Sequence, residues 1–149
     1  MYDFHRSRHD PLYTNYAIYS PDVPVFRSDD GSLLEQPYTV GIITSPAVNA
    51  KALDPERRQE IRAAMWVRIL KVLSIGIVHN HDAIVLGAWG CGAFGNDGKE
   101  IAGLFKRGLE ENFKGGYKWV VFAIIDWSEE RKFIGPFQRA FAVEGHWRE

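Results

Sequence analysis

The sequence feature that most constrains the fold is a strand, a glycine-rich turn and a helix in direct succession over residues 83–113. Residues 83–86 form an unbroken apolar run, which is typical of a strand buried on both faces. Four glycines then follow within nine residues. Asp97, with Glu100 three residues later, has the pattern of a helix N-cap. The unpaired N–H groups at such a turn and helix start suit a phosphate or diphosphate.

The glycines of this turn also have a purely structural interpretation, because glycine permits tight turns and close packing of a helix on a strand. The turn matches neither G-x-x-x-x-G-K-[ST] nor G-x-G-x-x-G, which argues against a P-loop and a Rossmann dinucleotide site. A further interpretation makes Cys91 a catalytic thiolate favoured by the helix N-terminus. That role needs a nearby base. His79 and His81 precede the strand at its opposite end, so a small packed thiol is favoured.

The order of elements along the chain predicts an α/β fold. Residues 38–44 and 119–125 indicate two further strands. Asp54-Pro55 indicates the start of an arginine-rich helix of about 22 residues, and we expect its arginines, Arg68 among them, to lie mainly on a solvated face. Alternation of strands and helices predicts a three-layer α/β/α arrangement, with a mostly parallel or mixed sheet and flanking helices.

The carboxyl ends of the strands are the expected place for a ligand, because ligands bind there in open α/β sheets. Three segments meet that condition: residues 44–49, the glycine-rich turn and the segment after Asp126. We therefore expect Thr44, Ser45, Asn49 and Asp126 to border a cleft beside the turn.

The composition is that of one ordinary globular domain spanning residues 1–149. Its 18 basic and 19 acidic residues give a net charge of −1, so we expect no direct nucleic-acid binding. The sequence has one cysteine and an N-terminus without an apolar signal segment, and no apolar run is long enough to span a membrane. These features predict a cytoplasmic protein without a membrane partner. His5 and His9 have no cysteine or carboxylate cluster nearby, and we expect neither a metal site nor a cofactor.

Three stretches of the sequence, YSPDVPVFR (19–27), YTVGIITSPAVNA (38–50) and LGAWGCGAFGND (86–97), together resemble the microbial-type poly(ADP-ribose) glycohydrolase family, a branch of the macrodomains. Gly92-Ala93-Phe94-Gly95 also resembles the Gly-aliphatic-aromatic-Gly phosphate loop of macrodomains. The resemblance implies a macrodomain-like fold, shortened at its N-terminus, that binds ADP-ribose or an ADP-ribosylated protein. The residues it places around the diphosphate and ribose are Gly90, Cys91, Gly92, Ala93, Phe94, Gly95 and Asn96.

The resemblance covers only the C-terminal half of the family's usual length. The other half holds a Gly-rich catalytic loop and a Gln-Glu-Glu whose glutamate is the general acid. This sequence has no Gly-Gly-Gly run, and Gln59-Glu60 lies inside the arginine-rich helix. Binding is therefore implied, with catalytic residues unknown and enzymatic activity undecided. The shortened sheet should leave an edge that favours a homo-oligomer. The alternative is a truncated remnant or an oligomerisation scaffold that binds no ligand.

Overall fold

The computed structural model describes residues 2–142, which form a mixed α/β fold. In chain order the elements are α1 (Tyr2–Arg8), β1 (Ile18–Arg27), β2 (Leu33–Thr44), α2 (Gln59–Val78), β3 (Ala83–Leu86), α3 (Gly98–Arg107), β4 (Trp119–Phe122) and α4 (Ile134–Phe141). One turn of 3-10 helix, Pro55–Arg57, precedes α2, and a π-helical turn, Gly108–Asn112, extends α3. Between residues 2 and 142, none of the helices combines the length and the apolarity that crossing a membrane requires.

The predicted α/β class with flanking helices is confirmed by β3, β4 and the helices packed on them. β3 and β4 pair in parallel, with Ala83 opposite Trp119. The ring of Phe122 on β4 lies 5.5 Å from that of Phe105 on α3 and 5.0 Å from that of Phe137 on α4. Aromatic contacts therefore fix both helices to the same face of the strand pair.

The prediction that residues 38–44 belong to the parallel sheet is wrong for the described chain. β2 instead pairs antiparallel with β1, with Ile18 opposite Thr44, in a separate two-stranded sheet. The cause is local, because Gly31 has a φ of +84° and provides the left-handed conformation that a tight hairpin turn favours. Of the described strands, none lies between β2 and β3 to join the two sheets.

The prediction that β3 is buried on both faces is also wrong, and β4 beside it is exposed in the same way. Ile84 and Leu86 pack against the core, whereas Val85 is 69% exposed, Trp119 70% and Val121 49%. Side chains alternate between the two faces of a strand, so an apolar residue at every position indicates a covering layer on each face. The described residues supply only one of those layers.

Arg68 contradicts the predicted solvated face of α2, because the residue is only 1% exposed. Its guanidinium donates to Asn15 Oδ1 at 3.0 Å, to the Pro46 carbonyl at 3.2 Å and to the Leu12 carbonyl. Burial lowers the pKa of Arg68 to about 10, which still leaves the group charged at neutral pH. The three acceptors replace the water that burial removes. Through this side chain α2 holds the N-terminal segment and the loop after β2.

Replacing Arg68 with Met should lower the free energy of unfolding by about 3 kcal/mol, because buried carbonyls and an amide oxygen lose their donor. Arg62→Met is the matched control, since Arg62 lies on the same helix with its side chain 65% exposed and 3.4 Å from Glu100. An exposed pair of this kind contributes about 0–1 kcal/mol. Urea denaturation of the two variants measures the difference, and equal losses would contradict the role given to Arg68.

Candidate functional site

Two glycines set the shape of the turn formed by residues 90–96. Gly90, with φ of +75°, and Gly95, with φ of +69°, adopt the left-handed conformation that glycine reaches most readily. A Cβ on Gly90 would also collide with the side-chain amide of Asn96. A Cβ on Gly95 would lie 2.8 Å from Cγ of Lys51. Backbone geometry favours glycine at both positions, and packing against Asn96 and Ala47 also favours it at Gly90.

The turn is tied to the loop after β2 by two interactions. Asn96 is 6% exposed, and its Nδ2 donates to the carbonyls of Val48 at 2.8 Å and Gly90 at 3.1 Å. The N–H of Lys51 donates to the Phe94 carbonyl at 3.0 Å. The hydrogen bonds of the Asn96 side chain thus hold the turn against the loop.

Three consecutive N–H groups of the turn, those of Gly92, Ala93 and Phe94, have no acceptor within residues 2–142. Successive free N–H groups in such a turn form an anion-binding concavity. Gly92 and Ala93 are exposed to solvent. Three other N–H groups are used inside the turn: those of Cys91, Gly95 and Asn96 donate to the carbonyls of Ala88, Gly92 and Gly90. Within the turn, the N–H groups without an acceptor in the described residues are therefore those of Gly90 and of residues 92–94, and the last three are consecutive.

A cleft of about 480 Å³, which we call the turn cleft, is lined by residues of the segments 5–13 and 44–52 and by Phe94. It brings Thr44, Ser45 and Asn49 together with Phe94. Its volume lies within the range of small-molecule sites, about 300–1,000 Å³.

The N-terminal segment supplies a wall of the turn cleft that reasoning from the sequence missed. His5, His9, Asp10 and Tyr13 all line the cleft. The Tyr13 ring lies 6.0 Å from that of Phe94 and stacks on that of His5 at 5.3 Å. The sequence signal for this wall is the clustering of aromatic residues before β1, which does not by itself indicate where the segment packs.

The titratable groups of the turn cleft have defined charge states. Burial, followed by nearby positive charges that include Arg68, lowers the pKa of His5, so its ring is neutral at pH 7. The Leu12 N–H and the Arg57 guanidinium, 3.1 Å away, lower the pKa of Asp10 against the opposite effect of burial. Asp10 is therefore an anion at neutral pH. Between residues 2 and 142, no three His, Cys, Asp or Glu side chains gather as a metal site would require.

Cys91 has the environment of a packed thiol. The residue is 6% exposed, and burial, followed by the charge of Asp97, raises the pKa of the thiol to about 11. A thiol with so high a pKa carries little thiolate at neutral pH. His79 and His81 are engaged by Tyr19, whose ring stacks on His79 at 3.8 Å and whose hydroxyl lies 2.6 Å from Nε2 of His81. These contacts weigh against the cysteine-enzyme interpretation.

Of the residues expected at the site, Thr44, Ser45, Asn49 and Phe94 line the turn cleft, whereas Asp126 and the rest of the turn at residues 90–96 do not. The carboxylate of Asp126 accepts hydrogen bonds from the Ser128 N–H and hydroxyl at 3.0 and 2.6 Å. It also accepts from the N–H groups of Phe133 and Ile134 at 2.6 and 2.9 Å. Partial burial acts to raise the pKa of Asp126, but these hydrogen bonds outweigh it and hold the pKa well below its usual range. The carboxylate anchors the start of α4 to the segment after β4.

Comparisons with known proteins show which family the chain is similar to. The family model "Microbial-type PARG, catalytic domain" matches residues 1–28. The poly(ADP-ribose) glycohydrolase of Deinococcus radiodurans, solved in complex with ADP-ribose, is 39% identical over 93% of this chain, with a TM-score of 0.88. The glycohydrolase of Thermomonospora curvata is 45% identical over 94% of this chain, also with a TM-score of 0.88. No curated protein sequence matches the chain.

The lengths of these relatives differ from that of the chain. The similarity covers 57% of the D. radiodurans chain and 52% of the T. curvata chain. The chain therefore spans a little over half the length of the solved structures that it matches.

Proposed function

Because the chain is a relative of the microbial-type poly(ADP-ribose) glycohydrolases that spans part of their length, we propose that it binds ADP-ribose, free or attached to a protein, in the turn cleft. The observation that carries the proposal is a run of three free N–H groups that ends at Phe94, a residue that lines an aromatic-lined cleft. The N–H groups of residues 92–94 suit a diphosphate. The rings of Phe94 and Tyr13 suit a ribose or a base. ADP-ribose is bound in a solved relative at 39% identity.

Gly92 provides the argument against the alternative, a domain whose glycines serve packing alone. A packing glycine has neighbours that exclude a Cβ, as Gly90 has in Asn96 and Ala47. A Cβ on Gly92 would meet nothing within 4 Å, and its φ lies outside the left-handed region. Packing therefore does not explain glycine at this position, as it does not at Gly103 on α3. Gly92 differs from Gly103 in its place within the run of free N–H groups, where close approach of a ligand to the backbone favours glycine.

Lys51 adds a positive charge beside the turn. Its aliphatic stem lies across Gly95, with Cε 2.9 Å from where a Cβ would stand on that glycine. The residue is exposed, so its ammonium reaches solvent. A cation in this position favours an anionic ligand over a neutral one.

Replacing Gly92 with Val should weaken ADP-ribose binding by at least about tenfold, or about 1.4 kcal/mol, because the branched side chain blocks approach to the N–H groups. Gly103→Val is the matched control, since it places the same side chain in open space on α3. Both variants should keep a melting temperature near that of the unaltered chain. Isothermal calorimetry with ADP-ribose measures the affinities. Wild-type affinity in Gly92→Val would exclude the turn as the diphosphate site.

We also propose that the 149 residues by themselves do not hydrolyse poly(ADP-ribose). Cleavage of a glycosidic bond passes through an oxocarbenium-like state, and it needs a carboxylic acid with a raised pKa as proton donor. Within the described lining of the turn cleft, Asp10 is the carboxylate. Its pKa is lowered, so it carries no proton to donate at neutral pH. Without a general acid, a contribution of about 10²–10⁴-fold to the rate is lost.

Incubation of the purified chain with poly(ADP-ribose) should release no more free ADP-ribose than a blank without protein. Asp10→Asn should behave in the same way, because the charged carboxylate is not a proton donor. Chromatographic measurement of free ADP-ribose follows the reaction. Release above the blank would refute the proposal, and loss of that release in Asp10→Asn would identify Asp10 as the acid.

A further inference from the structure

The loop after β2 contains a buried N–H group whose acceptor is a sulfur atom. The N–H of Val48 donates to the thioether of Met65 on α2, with N and Sδ 3.5 Å apart. Both residues are 0% exposed, so solvent does not reach this N–H group. No backbone carbonyl between residues 2 and 142 accepts from it. The sulfur of Met65 therefore satisfies a donor that burial would otherwise leave unpaired.

The carbonyl of the same Val48 leads from this contact to the glycine-rich turn. It accepts from Nδ2 of Asn96 at 2.8 Å, and that nitrogen also donates to the Gly90 carbonyl at 3.1 Å. The backbone N–H of Asn96 donates to the same carbonyl at 3.0 Å and closes the turn. A series of hydrogen bonds therefore runs from the sulfur of Met65 through Val48 to the contact that closes the turn.

Met65 and Arg68 act on the same loop from neighbouring positions on α2. Residues three apart share one face of a helix. Arg68 supplies a donor, 3.2 Å from the Pro46 carbonyl, and Met65 supplies an acceptor for the Val48 N–H. Leucine fills a core volume close to that of methionine, but it offers no acceptor. The sulfur atom thus provides something that packing alone does not.

We propose that Met65 is a positioning residue of the glycine-rich turn, whose sulfur fixes the Val48 peptide and, through Asn96, the N–H groups at residues 92–94. Without this acceptor the buried N–H of Val48 has to move towards another one, and the adjoining carbonyl moves with it. The Asn96 amide then loses its place, and a ligand has to order the turn as it binds. The effect on affinity rests on the proposed binding of ADP-ribose at the turn.

The sequence contains two methionines, Met1 and Met65, so biosynthetic replacement of methionine by norleucine tests the sulfur directly. Norleucine keeps the shape of the side chain and removes the acceptor. The norleucine chain should bind ADP-ribose about threefold more weakly in isothermal calorimetry, as expected for the loss of one modest hydrogen bond. The selenomethionine chain keeps an acceptor at this position and should retain the affinity. Met65→Leu, prepared with methionine and with norleucine, should bind equally in both forms, which excludes an effect of Met1.

Ile69→Val is the matched control for a general loss of core packing. Ile69 is 0% exposed on the same helix, and its side chain packs beside Gly108 at the end of α3. Removal of one buried methyl group should lower the melting temperature. The affinity of this variant for ADP-ribose should stay that of the unaltered chain. An equal loss of affinity in Ile69→Val and in the norleucine chain would overturn the proposal, because the effect would then be one of core stability.

Spectra of the ligand-free chain test the positioning role separately from ligand binding. In the norleucine chain the Val48 amide should exchange its hydrogen faster, and the resonances of the Asn96 side-chain amide and the Gly92 amide should shift. The Asn49 amide donates to the Pro11 carbonyl and should exchange as before.

Two results would overturn the proposal. The first is unchanged exchange at Val48 together with unshifted Asn96 and Gly92 resonances in the norleucine chain. The second is an unchanged affinity of the norleucine chain for ADP-ribose. The expected spectral changes in a chain whose methionine form does not bind ADP-ribose would support the positioning of the turn and refute the proposed ligand alone.

Discussion

The buried guanidinium of Arg68 is the interaction on which the site depends. It donates to the Leu12 carbonyl and the Asn15 side chain of the N-terminal segment, and to the Pro46 carbonyl after β2. These two segments form most of the turn cleft. Desolvating a charge is costly, and three well-placed acceptors are what make its burial tolerable. One side chain of α2 thus positions two walls that are distant from each other in the sequence.

The third part of the site, the glycine-rich turn, is attached to the same loop by the Asn96 amide, which donates to the Val48 carbonyl. α2, the loop after β2 and the turn therefore form one connected polar network. A network of this kind fixes the turn before a ligand arrives, and pre-organisation reduces the ordering cost of binding. The free N–H groups at residues 92–94 are the part of the turn that the network leaves open.

Much of the region around the turn could be predicted from the sequence because its signals are local. Asp97 caps α3, as its spacing to Glu100 predicts, and its carboxylate accepts from the N–H groups of Lys99 and Glu100. Arg68 could not be predicted in this way, since its acceptors at residues 12 and 15 lie far away in sequence. The exposure of Val85 could not be predicted either. An apolar run indicates that both faces of a strand are covered, but it does not indicate which residues cover them.

Binding of a diphosphate by the turn has a direct signature in the backbone amides. In ¹H–¹⁵N spectra of the wild-type chain titrated with ADP-ribose, the amides of Gly92, Ala93 and Phe94 should shift most and should saturate with a single affinity. Adenosine, which lacks the diphosphate, should leave Gly92 and Ala93 nearly unshifted. No shift at these three amides under saturating ADP-ribose would contradict binding at the turn.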